Sequence, residues 1–342
     1  MIQKMLLCAA VAVAVLSGPG QAQLPGGKIA FLSIAFAQFK GFNGRVSVMD
    51  PDGGNIVELA QAQGTPSDNY WFLFTITWSP DGTQLAYQSG NDIYTVGVEG
   101  GVPVNLTNAG PNEFNRYPAW SPDGRRIAFT STRGKPGYDI YVMNADGSNP
   151  VNLMEGQADG GSSDTMPVWS PDGGKIAFRS TRDKQGSHNV FIMDADGADP
   201  IQVTHETTSD CGAIAWSPDG RRIAFDVALE KSPGWHSEID VVDLDGGNRV
   251  RVSAVPGLEK VDNESPSWSP DGSKIVFMSD RRLGFHFDIW MVNPDGSAPV
   301  LVSQTSKIGP NQTFPSWSPL PGLVAPSAVR VLSWGQVKVG GQ

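Results

Sequence analysis

Residues 120–147 read Trp-Ser-Pro-Asp-Gly-Arg-Arg-Ile-Ala-Phe-Thr-Ser-Thr-Arg-Gly-Lys-Pro-Gly-Tyr-Asp-Ile-Tyr-Val-Met-Asn-Ala-Asp-Gly. Pro presets φ at the first central position of a tight turn, Asp caps its own backbone, and Gly accepts the positive φ that completes the reversal. The apolar triplet Ile127-Ala128-Phe129 and the β-rich run Ile140 to Met143 lie between this turn and a second one at Asp146-Gly147. Short β-rich runs separated by turn residues are strands, not helices.

The same spelling recurs. Trp-Ser-Pro-Asp-Gly begins at Trp78, Trp120, Trp169, Trp216 and Trp268, and Trp-Ser-Pro-Leu-Pro-Gly begins at Trp317, with spacings of 42, 49, 47, 52 and 49 residues. Four strands, A to D, fit each period, and four strands in about 40–50 residues make one propeller blade. The expected fold is all-β: a six-bladed β-propeller with four antiparallel strands per blade. The first repeat lacks its own Trp-Ser-Pro-Asp-Gly and starts at Gly26 to Phe31 with strand B, followed by Val46 to Met49 and Asn55 to Leu59 as C and D. Its strand A is expected from the other end of the repeats, Phe314 to Ser318, so that one blade is stitched from both ends. The role of residues 319–342, with the run Ala328 to Val339, is left open.

Lys4, the twelve apolar residues Met5 to Leu16, and the small residues up to Ala22 have the plan of a cleaved secretory signal. A permanent span needs about 20 apolar residues, so this one is too short. The expected organisation is a signal peptide at 1–22, a propeller at 23–318 and a tail at 319–342, in a periplasmic or extracellular protein. Cleavage removes Cys8 and leaves Cys211 alone, which excludes an internal disulfide. The net charge of -10 argues against nucleic acid as a partner.

The repeat Trp-Ser-Pro-Asp-Gly, Ile-Ala-Phe, Ser-Thr-Arg-Gly, Asp-Ile-Tyr-Val-Met-Asn-Ala-Asp-Gly at Trp120 to Gly147 resembles that of TolB-like propellers, also found in prolyl-oligopeptidase and dipeptidyl-peptidase relatives. The resemblance covers residues 26–318. It implies the fold strongly and a function weakly, because function belongs to sites and not to folds. It is a resemblance to the propeller alone: only the signal precedes Gly26, 24 residues follow Ser318, and no Gly-x-Ser-x-Gly elbow is present.

Strand order puts the A-to-B and C-to-D turns on one side and the B-to-C and D-to-A loops on the other. The first side repeats one carboxylate per turn (Asp81, Asp123, Asp172, Asp219, Asp271), read as turn caps in preference to a calcium-binding rim. The second varies from blade to blade, where a scaffold keeps its specificity. Its candidate ligand-binding residues, at the channel mouth, are Asp68, Trp71, Glu113, Arg116, Tyr117, Asp164, His205, Asp210, Glu264 and Lys307. Acids prevail there, whereas Lys40, Arg133, Arg182, Lys231 and Arg281 suggest a basic collar farther out, with Arg133 and Arg281 able to pair locally with Asp139 and Asp288. Tyr70, Phe72 and Phe74 beside Trp71 are either core or an exposed contact patch. His188, His236 and His286 fall in successive B-to-C loops that diverge with radius, so no metal site is assigned to them. Cys211 sits among acids, an environment that does not activate a thiol.

These features point to a non-catalytic binding module that takes a protein or peptide, preferably cationic, without a cofactor and as a monomer. Two alternatives remain: a metal-dependent enzyme like the polysaccharide lyases among relatives of the propeller, and a glycan- or cell-wall-binding propeller using the aromatic loop.

Overall fold

The structure is a computed structural model that describes residues 27–36, 42–63, 75–134, 137–156, 162–183, 186–230, 235–254, 261–281, 287–302 and 312–318. These residues form 24 strands and, among them, no helix. The strands make six four-stranded sheets. Blade 4 is typical: strand A (Asp164–Trp169), B (Lys175–Ser180), C (Asn189–Asp194) and D (Ile201–Gln202) pair antiparallel in that order. Strand A is Ile76–Trp78 in blade 2, Asn115–Trp120 in blade 3, Asp210–Trp216 in blade 5 and Asn263–Trp268 in blade 6.

Blade 1 is stitched as the repeat count requires. Strands Ile29–Phe36, Phe42–Met49 and Val57–Gln63 supply B, C and D, and Gln312–Trp317 pairs antiparallel with the first of them as strand A, with Ile29 opposite Trp317 and Ala30 opposite Ser316. The Ser318 N–H then donates to the Lys28 carbonyl at 2.7 Å. Strand D of this blade has seven residues, whereas each other strand D has two, so it extends past the Leu59 expected from the sequence.

Strand B explains why the repeat carries an apolar triplet and not an alternating pattern. Each B strand has a neighbouring blade against both faces, so consecutive residues are all buried, as in sheets covered on two sides. Ile127-Ala128-Phe129, Ile176-Ala177-Phe178, Ile223-Ala224-Phe225 and Ile275-Val276-Phe277 are fully buried. The tryptophans close the gaps between blades. Trp78 and Trp216 donate their indole N–H to the Ser316 and Val168 carbonyls of the preceding blade, at 3.0 and 3.1 Å. Arg126 and Arg222, each opening a B strand, stack over Trp169 and Trp268 of the following blade at 4.6 and 5.0 Å.

Each Asp of the Trp-Ser-Pro-Asp-Gly turns caps its own turn. Asp123 Oδ1 accepts the Ser121 hydroxyl at 2.5 Å and the Arg125 N–H at 3.0 Å, and Asp81, Asp172, Asp219 and Asp271 repeat the arrangement. The serine hydroxyl, then the backbone N–H, holds the carboxyls of Asp81, Asp123, Asp172 and Asp219 below the ordinary range.

Candidate binding face and central channel

The A strands of all six blades surround a central cavity of about 420 Å³. Its wall contains Tyr117, Met166, Ala213 and Ser265, followed by prolines and the tryptophans of the turn motif. Tyr117, Met166 and Ser265 occupy left-handed backbone, with φ of 54°, 56° and 55°, and each is followed by proline. A β-bulge at the same place in each strand A accounts for this: pairing with strand B shifts between Arg116 and Ala119, Thr165 and Val168, and Glu264 and Ser267. Left-handed conformations at non-glycine residues cost about 1–3 kcal/mol and persist where the surroundings fix them. At Met166 and Ser265 the preceding blade does so. The Met166 N–H donates to Thr130 Oγ1, and the Ser265 N–H to Asp226 Oδ1, both at 3.1 Å.

The residues expected at the channel mouth fall in separate surroundings. Asp68, Trp71 and Lys307 lie outside the described residues, as do Tyr70, Phe72, Phe74 and His286. Glu113 is half-buried and accepts the Gly110 N–H of its own turn at 3.0 Å. Arg116 and Tyr117 are buried strand residues, and the Arg116 guanidinium lies 5.1 Å from the Phe114 ring centre. His205 is exposed on a loop.

Three carboxylates expected on loops instead belong to A strands. Asp164 has no exposed surface and holds Arg182 at 3.1 Å and the Ser162 hydroxyl at 3.0 Å. Burial raises its pKa against the opposing effect of Arg182. Asp210 Oδ1 accepts the His188 N–H at 2.7 Å and faces His188 Nδ1 at 3.0 Å, and hydrogen bonding by the imidazole lowers its pKa to about 2. Glu264 is buried, and its pKa is held well above the carboxylate range by burial first and then by Asp226 and Asp262.

The collar cations are structural where they are described. Arg182 Nε donates to Ser180 Oγ at 3.2 Å, and the guanidinium stacks over Phe178 and Phe191. Arg133 and Arg281 repeat this with Ser131 and Asn115, and with Ser279 and Asn263. Their partners are thus strand A asparagines, not Asp139 and Asp288. The Ser-Thr-Arg signature is a clasp from the B-to-C loop onto strand A. Lys40 and Lys231 lie outside the described residues.

Among the described residues no three His, Cys, Asp or Glu side chains are arranged to hold a metal ion. His188 is engaged with Asp210, and His236 is buried. Cys211 is fully buried beside Thr204 Oγ1 at 3.4 Å, and burial pushes its thiol pKa up to about 12. Among the described residues no helix is long and apolar enough to cross a membrane.

Asp226 is the residue the sequence reading passed over. It occupies the strand B position held by Gln88, Thr130, Arg179 and Met278 in blades 2, 3, 4 and 6, immediately after the buried triplet. Its acidity at that register was the available signal.

Fold and channel together define a closed six-bladed β-propeller with a wall of bulged inner strands. The chain belongs to the TolB beta propeller domain family, whose sequence profile matches residues 22–321. It is 29% identical over 231 residues to an uncharacterized protein of Agrobacterium fabrum, covering 64% of this chain and 60% of that one. The structure is similar to TolB from Acinetobacter baumannii, with a TM-score of 0.64 and 21% identity over 85% of this chain and 66% of that chain. It is similar also to a putative TolB from Agrobacterium tumefaciens, with a TM-score of 0.62 and 22% identity over 87% and 95% of the two chains. This chain therefore spans less than two thirds of the length of the first two relatives. At these identities the structural likeness establishes the fold.

Proposed function

We propose that this protein is a secreted, non-catalytic binding module, periplasmic or extracellular, that presents the face of the D-to-A and B-to-C loops to a protein or peptide partner. The observation that carries this reading is the asymmetry between the two faces. One repeats a single self-capped turn in five blades, whereas the other changes its polar groups from blade to blade: Glu113 on its own turn, Asp164 on Arg182, Asp210 on His188, Glu264 buried beside Asp226. A cationic partner is preferred because the chain carries a formal net charge of -10. The chain acts as a monomer.

A photo-crosslinking residue at His205 or Glu113 tests this in the native host. Adducts with a protein are expected from these two positions and not from Val151 or Val300, which are exposed on outer D strands. Adducts from Val151 and Val300 alone would move the interaction to the rim of the disc and overturn the proposal. Secretion is carried by the charged start, apolar core and small residues of 1–22, and predicts a mature N-terminus at Gln23 in the mass spectrum of the exported protein. An intact Met1 on exported protein would refute it.

A further inference from the structure

The seam between blades 5 and 6 differs from its counterpart between blades 3 and 4 in one respect. At the earlier seam a neutral hydroxyl, Thr130 Oγ1, accepts the bulge N–H of the next blade. At the later seam the acceptor is an acid. Asp226 Oδ1 takes two backbone N–H groups, Ala213 of its own blade at 2.9 Å and Ser265 of the next at 3.1 Å. The chain has made room for it twice. Strand A of blade 5 has seven residues where those of blades 3, 4 and 6 have six. Position 212 is glycine, and a Cβ there would lie 1.8 Å from Asp226 Oδ2. Among the described residues Glu264, next to Ser265, receives only the Ser237 hydroxyl, at 3.4 Å.

We propose that Asp226 and Glu264 form a proton-operated clasp between blades 5 and 6: Asp226 carries the charge and holds one N–H from each blade, Glu264 carries the proton, and loss of that proton loosens the seam. The division of labour follows from the hydrogen bonds. Two N–H donors stabilise a carboxylate, while a buried acid with one long contact is more stable neutral. Burial raises Asp226 to about 6 and Glu264 well above its ordinary value, and the field of Asp226 raises Glu264 further. The surrounding charges act in both directions. Arg179 from blade 4 favours ionised Asp226, whereas Asp262 and Asp280 from blade 6 disfavour ionised Glu264. Glu238 and His236, on strand C of blade 5, face Asp262, with opposite effects on it. Glu238 is itself tied to Ser253 and Asn263, and its field reaches Arg281.

Acids whose pKa is higher folded than unfolded bind protons more tightly when folded, so their stabilisation is present at low pH and lost as pH rises through the folded pKa. The thermal midpoint of the full chain is therefore expected to fall between about pH 5 and pH 8. Glu264→Gln, which keeps the neutral shape, should flatten that slope, and Asp226→Asn, which keeps an acceptor oxygen, should flatten it in part. A second readout does not depend on unfolding: the infrared band of a protonated carboxyl should be present at neutral pH in the parent and lost in Glu264→Gln. Parallel pH slopes in parent and Glu264→Gln, or no protonated-carboxyl band in the parent, would overturn the proposal.

Discussion

The indole N–H of Trp78 in blade 2 donates to the carbonyl of Ser316, 238 residues further along the chain, at 3.0 Å. This single bond joins blade 2 to the strand that completes blade 1, and Trp317 beside Ser316 is itself 5% exposed. The ring is closed by residues 312–318, and its stability should depend on them. A chain ending at Ile308 leaves strand B of blade 1 as an open edge, which invites association with other edges. Loss of soluble yield or of cooperative unfolding is expected. A chain ending at Pro321 keeps the strand and should melt close to the parent. Trp317→Ala should cost about 3–5 kcal/mol, as expected for removing a buried indole. An Ile308 truncation that melts like the parent would contradict the stitched closure.

The clasp of Arg182 on Asp164 makes a prediction with a defined pH sense. Asp164 is fully buried and Arg182 nearly so, at side-chain exposures of 0% and 10%. Removing the cation with Arg182→Ala leaves a buried, uncompensated carboxylate, a loss of about 3–5 kcal/mol at neutral pH. Without its guanidinium Asp164 should take up a proton at higher pH than in the parent, so the deficit should shrink on acidification. Thermal melts of parent and variant at about pH 5 and about pH 7.5 check this. A deficit that does not depend on pH would mean that packing over Phe178 and Phe191, and not charge, is what Arg182 contributes.

The clasp also marks where sequence reading stops. The turns, the strand order and the stitched blade were legible because each is a local signal repeated several times: Pro-Asp-Gly fixes a reversal wherever it stands, and a triplet buried on both faces shows in composition alone. Arg182 looked like a loop cation because its partner, Asp164, precedes it by 18 residues across a strand pair. Tyr117 and Met166 gave no sign of left-handed backbone, since the bulge is held by a contact such as Met166 with Thr130, 36 residues apart in a different blade. Local patterns report turns and burial. They do not report which groups meet across a strand pair, as Arg182 and Asp164 do, or across a seam between blades, as Met166 and Thr130 do.

Cys211 gives a direct test of burial at the channel end of blade 5. With no exposed surface and a thiol raised to about 12, it should have neither access nor thiolate. Iodoacetamide should leave the folded protein unlabelled at Cys211 at neutral pH and label it once urea unfolds the chain. Rapid labelling of the folded protein would show that strand A of blade 5 opens locally.

Two glycines separate backbone conformation from contact between blades. Gly124, in an A-to-B turn, and Gly147, in a C-to-D turn, both have positive φ, at 69° and 87°. An added methyl group at either strains a conformation that L-residues avoid, at about 1 kcal/mol. Their surroundings differ. A Cβ at 124 would meet only the Pro80 ring, at 3.7 Å, whereas one at 147 would lie 2.5 Å from the Leu106 carbonyl oxygen of the preceding blade. That oxygen belongs to backbone and cannot swing aside, so the blades would have to part. Gly197 and Gly246 repeat the approach, at 2.6 Å from the Leu153 oxygen and 2.7 Å from the Val203 oxygen. Gly147→Ala should therefore lower the thermal midpoint clearly more than Gly124→Ala, and Gly197→Ala and Gly246→Ala should behave like Gly147→Ala. Equal losses at 124 and 147 would assign the whole cost to φ and show that the C-to-D turns do not set the distance between blades.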